Sequence, residues 1–346
     1  MRCPGATRGR RLWRGVAGAA LLVACGLLLA GCEPNPQTTL SPQSDVGWDI
    51  QNLFAFIFWA AMVVLAGVEG ALIFVVLRFR RRKGQPVGPP IGRHGSTPLE
   101  ITWTLLPVVV LAVVAVPTVV TIFKTAEAAP SNAVQIEVTA HQWWWEFRYP
   151  KYNITTANEL HIPVGTTVSI REGSTDVIHS FWIPQLAGKR DVFPNHVNNL
   201  WFTPSITGIF PGQCAEFCGP SHAYMQMKVF VQSRRDFDKW VRDQQAPAAK
   251  PRTAEARRGA IVFGRSSCPS CHTIAGTAAA GTIGPNLTHV GSHVGLAIDN
   301  EMLNTPAHLA QWIHNSPSIK PGSYMPPQNL SPRDLAAVVA YLESLK

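Results

Sequence analysis

The chain has 346 residues and a formal net charge of +9, and charged residues make up 15% of it, against roughly 25% in an average soluble domain. This length is typical of two or three domains, and the hydrophobic content of 46% excludes a disordered chain while leaving room for membrane spans. The stretches 1–31 and 78–93 are rich in basic residues and contain no acidic one. A nucleic-acid-binding protein would carry its basic charge on a folded domain, so we exclude that class.

The first predicted element is an export signal at residues 1–31, where arginines precede an apolar run. The run ends in Leu-Ala-Gly-Cys at 29–32, which resembles the lipobox of bacterial lipoproteins. This resemblance implies that the leader is cleaved before Cys32 and that Cys32 carries a lipid. The alternative is an uncleaved anchor helix, but the apolar run is short for a membrane span, which favours cleavage.

Two longer apolar segments, at about 54–77 and 101–123, predict a two-helix transmembrane hairpin. The first contains one charged residue, Glu69, and the second contains none. The basic loop between them predicts a cytoplasmic turn, so both ends of the hairpin face outward. Glu100 stands at the cytoplasmic start of the second span, where solvation at the interface accounts for it as well as a functional role does.

Residues 130–243 follow a different pattern, with short segments that alternate apolar and polar side chains and are rich in valine, isoleucine and threonine. Turn residues separate these segments, which predicts an all-β domain of short strands. Strand patterns do not alternate with helix patterns in this region, so the sequence does not indicate a parallel α/β sheet here.

A cluster of sulphur and nitrogen ligands falls within this domain. Its members are His179, Cys214, Cys218, His222 and Met225. Thiolate, imidazole and thioether groups are the soft ligands that suit copper, and two cysteines in one loop are able to bridge two copper ions. A disulfide and a zinc site are the alternatives, but zinc does not use methionine and a disulfide does not account for His222 and Met225.

Residues 244–256 are small, polar and proline-bearing, and they predict a linker to a last domain at 257–346. That domain contains Cys268-Pro-Ser-Cys271-His272, the attachment pattern of c-type haem. The two thiols of this pattern form thioethers with the haem, and the histidine becomes an iron ligand.

Met325 is the predicted second axial ligand, because it lies on a proline-bounded loop before a final helical segment. Met302, the other methionine of this domain, is expected to pack against a helix or loop. Histidine and methionine together raise the reduction potential of haem, which suits a donor to copper. Four further histidines are expected at the surface without a metal: His289, His293, His308 and His314.

The hairpin, the aromatic run at 141–149, the segment at 176–184 and the cysteine loop at 214–225 together resemble subunit II of haem–copper cytochrome c oxidases. The appended haem motif resembles the caa type, in which this subunit is fused to a cytochrome c. The resemblance implies a multidomain membrane protein with a two-helix transmembrane hairpin, an all-β cupredoxin-like barrel and an all-α class I cytochrome c domain. The implied order is a signal peptide at 1–31, a lipid-anchored hairpin region at 32–128, the copper domain at 130–243, the linker at 244–256 and the cytochrome domain at 257–346.

The resemblance also implies roles for individual residues. It implies a binuclear CuA centre held by His179, Cys214, the carbonyl of Glu216, Cys218, His222 and Met225. The Glu216 side chain would help to hold a magnesium ion at the junction with subunit I. Trp143 would be the point where electrons pass to the copper, and Glu100 would lie at the mouth of a proton channel.

The implied function is that of a proton-translocating cytochrome c oxidase subunit in the bacterial inner membrane, with its two large domains on the periplasmic side. Electrons would pass from cytochrome c or a cytochrome bc complex through haem c and CuA to haem a of subunit I, where O2 is reduced to water; subunit III would be a further partner. Nitrous oxide reductases also use CuA but need a further histidine-rich domain, and quinol oxidase subunits lack the copper ligands. A free-standing electron carrier and a copper-delivery lipoprotein are the remaining alternatives.

Overall fold

The computed structural model describes residues 37–80, 84, 95–298 and 301–346. The predicted leader and Cys32 lie outside the described residues. The helices are α1 (Asp45–Phe79), α2 (Thr97–Ala126), α3 (Arg234–Gln245), α4 (Ala254–Arg265), α5 (Cys268–Cys271), α6 (Pro306–His314), α7 (Ser316–Ile319) and α8 (Pro332–Ser344). The strands are β1 (Val134–His141), β2 (Trp144–Tyr149), β3 (Ile154–Ala157), β4 (Glu159–Pro163), β5 (Val168–Ser174), β6 (His179–Trp182), β7 (Arg190–Val192), β8 (Asn198–Phe202), β9 (Gly208–Cys214) and β10 (Gln226–Gln232).

Helices α1 and α2 are both long and apolar enough to cross a membrane. They have 35 and 30 residues, so each exceeds the roughly 20 residues that span a bilayer. The predicted spans at 54–77 and 101–123 lie inside these helices, which continue beyond them at both ends. An ion pair of 2.7 Å between Lys124 and Asp49 joins the two helices near the β-domain.

The β-domain holds the adjoining ends of both helices. Ser44 caps α1 by accepting the Gly47 N–H at 2.9 Å, and its hydroxyl donates to the Leu186 carbonyl of the β-domain. The Trp201 indole N–H donates to the carbonyl of Glu127, directly after α2, at 2.9 Å. The start of α1 and the end of α2 therefore lie on the same side, as a hairpin requires.

The β-domain consists of two five-stranded sheets with the orders β3-β2-β1-β5-β8 and β4-β10-β9-β6-β7. Most neighbouring strands are antiparallel, but β1 pairs with β5 and β4 pairs with β10 in parallel. The alternation in the sequence places one face of each strand inward, and a core of fully buried aromatic and aliphatic side chains results. Its largest members include Trp145, Phe147, Tyr149, Phe181 and Leu160. This architecture confirms the predicted β-rich, cupredoxin-like domain.

Helix α3 packs on the same core through Phe237 and Trp240. The His161 ring lies between the rings of Phe230 and Trp240, at centroid distances of 4.5 and 4.4 Å. After α3, residues 246–253 contain no helix or strand, whereas the predicted linker at 244–256 includes helical residues at both ends. The last domain is helical, as predicted, and helices α4 and α8 form its core with Phe263, Val338 and Tyr341.

Candidate functional site

The predicted copper ligands converge at one end of the β-domain. His179 begins β6, Cys214 ends β9, and the loop after β9 returns Cys218, His222 and Met225 to the same place. Cys214 Sγ lies 3.8 Å from both His179 Nδ1 and Cys218 Sγ. Cys218 Sγ in turn lies 3.5 Å from His222 Nδ1 and 3.9 Å from Met225 Sδ. The donor atoms of the five side chains thus form one connected cluster, in which those of His179, Cys214 and Cys218 all lie within 4.8 Å of one another.

The donor set fits a copper centre and not a disulfide. Both cysteines are free, and their sulphurs lie 3.8 Å apart, well beyond the ~2.05 Å of an S–S bond. The Cys218 thiol lowers the pKa of Cys214 more than burial raises it, and the His179 ring lowers it further. A thiolate is the form in which cysteine binds metals, so the site favours the ligating form of Cys214. The thioether of Met225, which is fully buried, completes a soft donor set.

Asp176 orients the first histidine. Its carboxylate accepts a hydrogen bond of 2.7 Å from His179 Nε2, which leaves Nδ1 facing Cys214. Burial alone would raise the pKa of Asp176, but hydrogen bonds from His179, Val177 and Gln142 hold it below its ordinary value. A carboxylate behind a ligating histidine fixes both the ring orientation and the tautomer.

Glu216 contributes to this site through its backbone. Its carbonyl oxygen lies 3.2 Å from Cys214 Sγ, so it is within the group of donors. Its side chain is exposed, and the neighbouring Phe217 side chain is exposed as well. The loop between the two cysteines therefore presents one carbonyl inward and two side chains outward.

The predicted haem ligands line a second site, a cavity of about 330 Å³ between the β-domain and the helical domain. The side chains of Cys268, Cys271, His272 and Met325 all belong to residues that line this cavity. His272 Nδ1 donates to the Pro285 carbonyl at 2.8 Å, so Nε2 remains as the metal-binding nitrogen. Burial lowers the pKa of His272 and favours the neutral ring that binds a metal. The residues present fit a covalently attached haem.

The two methionines of this domain have different surroundings. Met302 is buried in the helical core, whereas Met325 borders the cavity that His272 lines. The prediction that His289 lies at the surface is wrong, because only 6% of it is exposed. His289 is buried beside Val290, whose side chain belongs to the helical core. The position of His289 in the fold, and not its polar side chain, therefore determines its burial.

Trp143 joins the two sites. Its indole N–H donates to the Cys218 carbonyl at 2.9 Å, and its ring lines the cavity that contains His272 and Met325. Two glycines with positive φ lie against the ring, Gly219 of the cysteine loop and Gly322 of the helical domain. A Cβ atom would lie 3.0 Å from the ring at Gly219 and 2.6 Å at Gly322, so only glycine lets both loops approach this closely.

The loop at 320–325 holds the helical domain against Trp143. Lys320 Nζ donates to the Trp143 carbonyl at 2.5 Å and to the Ala297 carbonyl at 2.6 Å. The Tyr324 ring stacks beside the Trp143 ring at a centroid distance of 6.3 Å, and its hydroxyl donates to Gln142 at 3.0 Å. Met325 follows directly, so the loop that contacts Trp143 also carries the predicted haem ligand.

The remaining predicted site residue, Glu100, lies far from this region. It is in the first turn of α2, at the end of the helix that points away from the β-domain. Roughly 40 Å of helix separates it from that domain, at about 1.5 Å per residue. The structure therefore does not bring Glu100 together with the copper or haem ligands, and its role stays a prediction.

Several functional contacts have no clear signal in the sequence. The residues that make them are Asp176, Gln142, Gly219, Lys320 and Tyr324. An aspartate three positions before a histidine is too common to indicate a metal site. Residues 143 and 320 are distant in the chain, and no periodic pattern links them.

Known protein families match separate parts of this chain. The profile of the cytochrome c oxidase subunit II transmembrane domain matches residues 36–120, and that of the periplasmic domain of the same subunit matches residues 153–233. A cytochrome c profile matches residues 256–346. These matches imply CuA copper in the β-domain and haem c in the helical domain.

Curated relatives include subunits of cytochrome c oxidases and of quinol oxidases. Cytochrome c oxidase subunit 2 of Alkalihalophilus pseudofirmus is 37% identical over 97% of this chain and 99% of its own length. The same subunit of Bacillus sp. PS3 is 37% identical over 92% of this chain and 94% of its own length. Quinol oxidase subunit 2 of Bacillus cereus is 30% identical over 71% of this chain and 86% of its own length.

The order and the type of the domains in the structure agree with these matches. Two helices that are able to cross a membrane come first, and a β-rich domain and a helical domain follow. The chain is therefore a membrane protein with an extracellular domain. It is an oxidase subunit, and its partner is subunit I. It belongs to the cytochrome c oxidase subunit 2 family, in the form that carries a fused cytochrome c domain.

Proposed function

We propose that this chain is the electron-transferring subunit II of a caa-type haem–copper oxidase. It accepts electrons from a cytochrome c-type donor or a cytochrome bc complex at its own haem c. It then passes them through CuA to haem a of subunit I, where O2 is reduced to water and protons are pumped. The bound copper supplies a one-electron relay, and the bound haem supplies the acceptor for the donor.

The contact that carries this proposal is that of Trp143. Its ring borders the cavity of His272 and Met325, and its N–H is hydrogen-bonded to the carbonyl of Cys218. One rigid side chain therefore contacts a predicted copper ligand and lines the predicted haem site. Such a contact supports electron transfer within the chain, because no movement of a separate protein is required between the two centres.

The side chains around each site have separate tasks. His179, Cys214, Cys218, His222 and Met225, with the Glu216 carbonyl, would hold the copper, and Cys268, Cys271, His272 and Met325 would hold the haem. Asp176 orients His179, and the Pro285 carbonyl fixes the tautomer of His272. A magnesium site at the exposed Glu216 carboxylate and a proton-channel role for Glu100 remain predictions from the family resemblance.

The proposed location is the bacterial inner membrane, with α1 and α2 as a hairpin and both large domains on the periplasmic side. The β-domain contacts both the start of α1 and the end of α2, which supports a hairpin whose two ends lie on the side of this domain. Cys32 would add a lipid anchor at the same face. Subunit III is a further proposed partner beside subunit I.

Metal and haem analysis of the purified full-length chain tests the cofactor assignment. We expect two copper ions and one haem per chain, with an electron paramagnetic resonance signal shared between two copper nuclei. Cys218→Ser should abolish this signal and leave the haem absorbance intact. Loss of both together, or a copper signal confined to one nucleus, would contradict two separate centres.

Native purification tests the oxidase assignment. A tag on this chain should recover a partner that contains haem a, and the complex should oxidise a reduced cytochrome c. A quinol oxidase subunit is the main competitor, since one relative carries that name. Quinol-dependent activity without copper in the preparation would establish that competitor, whereas recovery of the chain alone would point to a free electron carrier.

A further inference from the structure

The face of Trp143 that borders the haem cavity is closed to other proteins. Only 5% of Trp143 is exposed, because Gly322 lies against its ring and Lys320 binds its carbonyl. Further polar contacts hold the domains together around it, including Ser221 to the Pro321 carbonyl at 2.6 Å. An external electron donor therefore cannot contact Trp143 while the helical domain is in this position. It has to approach the haem from the remaining accessible side.

The accessible side is the outer edge of the haem cavity, which we call the haem rim. Its residues both line the cavity and are exposed to solvent: Ser267, Ser270, Ile283, Tyr324 and Pro326. Ile283 and Tyr324 are large side chains with 69% and 72% exposure. Large exposed apolar and aromatic side chains next to a cofactor site are typical of an interaction surface.

The haem rim carries no charge. Residues 266–298 include histidines but no lysine, arginine, aspartate or glutamate. Residues 321–332 contain none of these charged residues either. Among the described residues that line the cavity, Lys320 is the one lysine, arginine or carboxylate. Lys320 is 96% buried, and its ammonium group donates to two backbone carbonyls. The basic residue at the start of the first segment, Arg265, is not part of the cavity lining.

We propose that the haem rim is the docking surface for the external electron donor, and that this donor is a small redox protein whose own cofactor edge is uncharged. The inference rests on the proposed function, because it requires haem c in the cavity. A donor with a ring of charges around its cofactor would lose hydration on docking and find no opposite charge to replace it. An apolar edge would instead gain from burial against Ile283 and Tyr324.

The step itself is the transfer of one electron. The donor cofactor is oxidised by one electron, and the haem iron of this chain is reduced from the ferric to the ferrous state. No bond forms or breaks and no proton moves, so the surface needs only to bring the two cofactor edges close together. Association through uncharged surfaces is not accelerated by long-range attraction and depends little on salt.

Stopped-flow reduction of the haem in the full-length, cofactor-loaded chain tests the proposal. The probes are two reduced soluble cytochromes c, one with a ring of lysines around its haem edge and one with an uncharged haem edge. For the uncharged probe, raising the ionic strength should change the rate by less than about twofold, whereas steered association falls steeply with salt. Preference for the lysine-ringed probe, with a steep loss of rate on adding salt, would overturn the proposal.

A matched pair of variants locates the surface. Ile283→Lys places a charge on the haem rim and should slow reduction by the uncharged probe. Ile261→Lys places the same charge on α4 at a residue that is 56% exposed and does not line the cavity, and it should leave the rate unchanged. Equal rates for both variants and the original chain, or equal losses in both, would overturn the assignment.

Hydroxyl-radical footprinting gives a readout that does not depend on electron transfer. The oxidised uncharged probe should protect Ile283 and Tyr324 from modification and leave Ile261 unprotected. Protection of Ile261 alone would place the donor elsewhere. Failure of the proposed function is distinguishable, because it would appear as a chain without haem or copper, whereas failure of this inference would appear as normal cofactor content with no protection at the rim.

Discussion

Replacement of Gly322 by alanine is the sharpest test of the contact between the two domains. Gly322 has a φ of +83°, and a Cβ atom built there would lie 2.6 Å from Cη2 and 2.9 Å from Cζ3 of Trp143. The ring cannot move away easily. Its N–H is bonded to the Cys218 carbonyl, and Gly219 also lies against the ring, near Cζ2 and Nε1.

Two costs add in this variant. An L-residue in the left-handed region costs about 1–2 kcal/mol, and forcing an extra carbon into a filled contact costs about 1–3 kcal/mol more. Gly276→Ala is the matched control, because its φ is +80° and no atom lies within 4 Å of the added Cβ. The control should therefore lose only the first of the two contributions, and Gly322→Ala should lose about 2–5 kcal/mol in total.

Urea unfolding of the helical domain in the full-length chain, followed by far-ultraviolet circular dichroism, measures this difference. Radical footprinting of Trp143 gives the second readout, because the displaced loop should expose the ring in Gly322→Ala and not in Gly276→Ala. Equal destabilisation of the two variants, with Trp143 protected in both, would show that the loop does not press on the ring and would refute the reasoning.

Three further changes probe the same region. Burial opposes ionisation of Glu159, yet the His161 ring and backbone N–H groups hold the pKa of Glu159 below its ordinary value. The stabilisation from this carboxylate should therefore be complete above its ordinary pKa and disappear as pH falls through the lowered pKa. Glu159→Gln should abolish this acid dependence of thermal unfolding and cost about 1–3 kcal/mol, whereas Glu137→Gln at an exposed ion pair should cost about 0–1 kcal/mol. Lys320→Met should increase hydrogen exchange at the domain contact, and unchanged exchange would exclude its bridging role. Met325→Leu should lower the haem potential in a redox titration, whereas the same change at the domain's other methionine should not.

The sequence was most informative where the functional residues are close together in the chain. Cys268, Cys271 and His272 stand together in one short motif, and Cys214 to Met225 form one loop. The residue types and spacing alone therefore predict the haem attachment motif and the ligands of the cysteine loop. The two apolar helices were equally clear, because an uninterrupted run of about 20 apolar residues is long enough to cross a bilayer and rare in water-soluble domains. The helices extend beyond the predicted spans because caps such as Ser44, and not hydropathy, determine where they end.

The relation between the domains could not be predicted in this way. Glu159 accepts hydrogen bonds from the N–H groups of Val294 and Gly295, and any residue type except proline could supply those donors. The same applies to Lys320, whose partners are backbone carbonyls. Hydrogen bonds to backbone groups do not depend on the partner's residue type, so the sequence does not reveal them. The prediction that His289 lies at the surface is wrong for a related reason, since its burial depends on tertiary structure alone.

The buried charges at the contact between the β-domain and the helical domain indicate the role of this contact. Glu159 and Lys320 are both buried charges, and each bonds to backbone groups of the other domain: Glu159 to the N–H groups of Val294 and Gly295, and Lys320 to the Trp143 carbonyl. A buried charge that lost these hydrogen bonds would be left uncompensated, so the contact is demanding in geometry. High affinity is not needed, because a short linker holds the two domains at a millimolar effective concentration. We therefore expect these charges to fix the position of the 320–325 loop against Trp143, and the linker to supply most of the association.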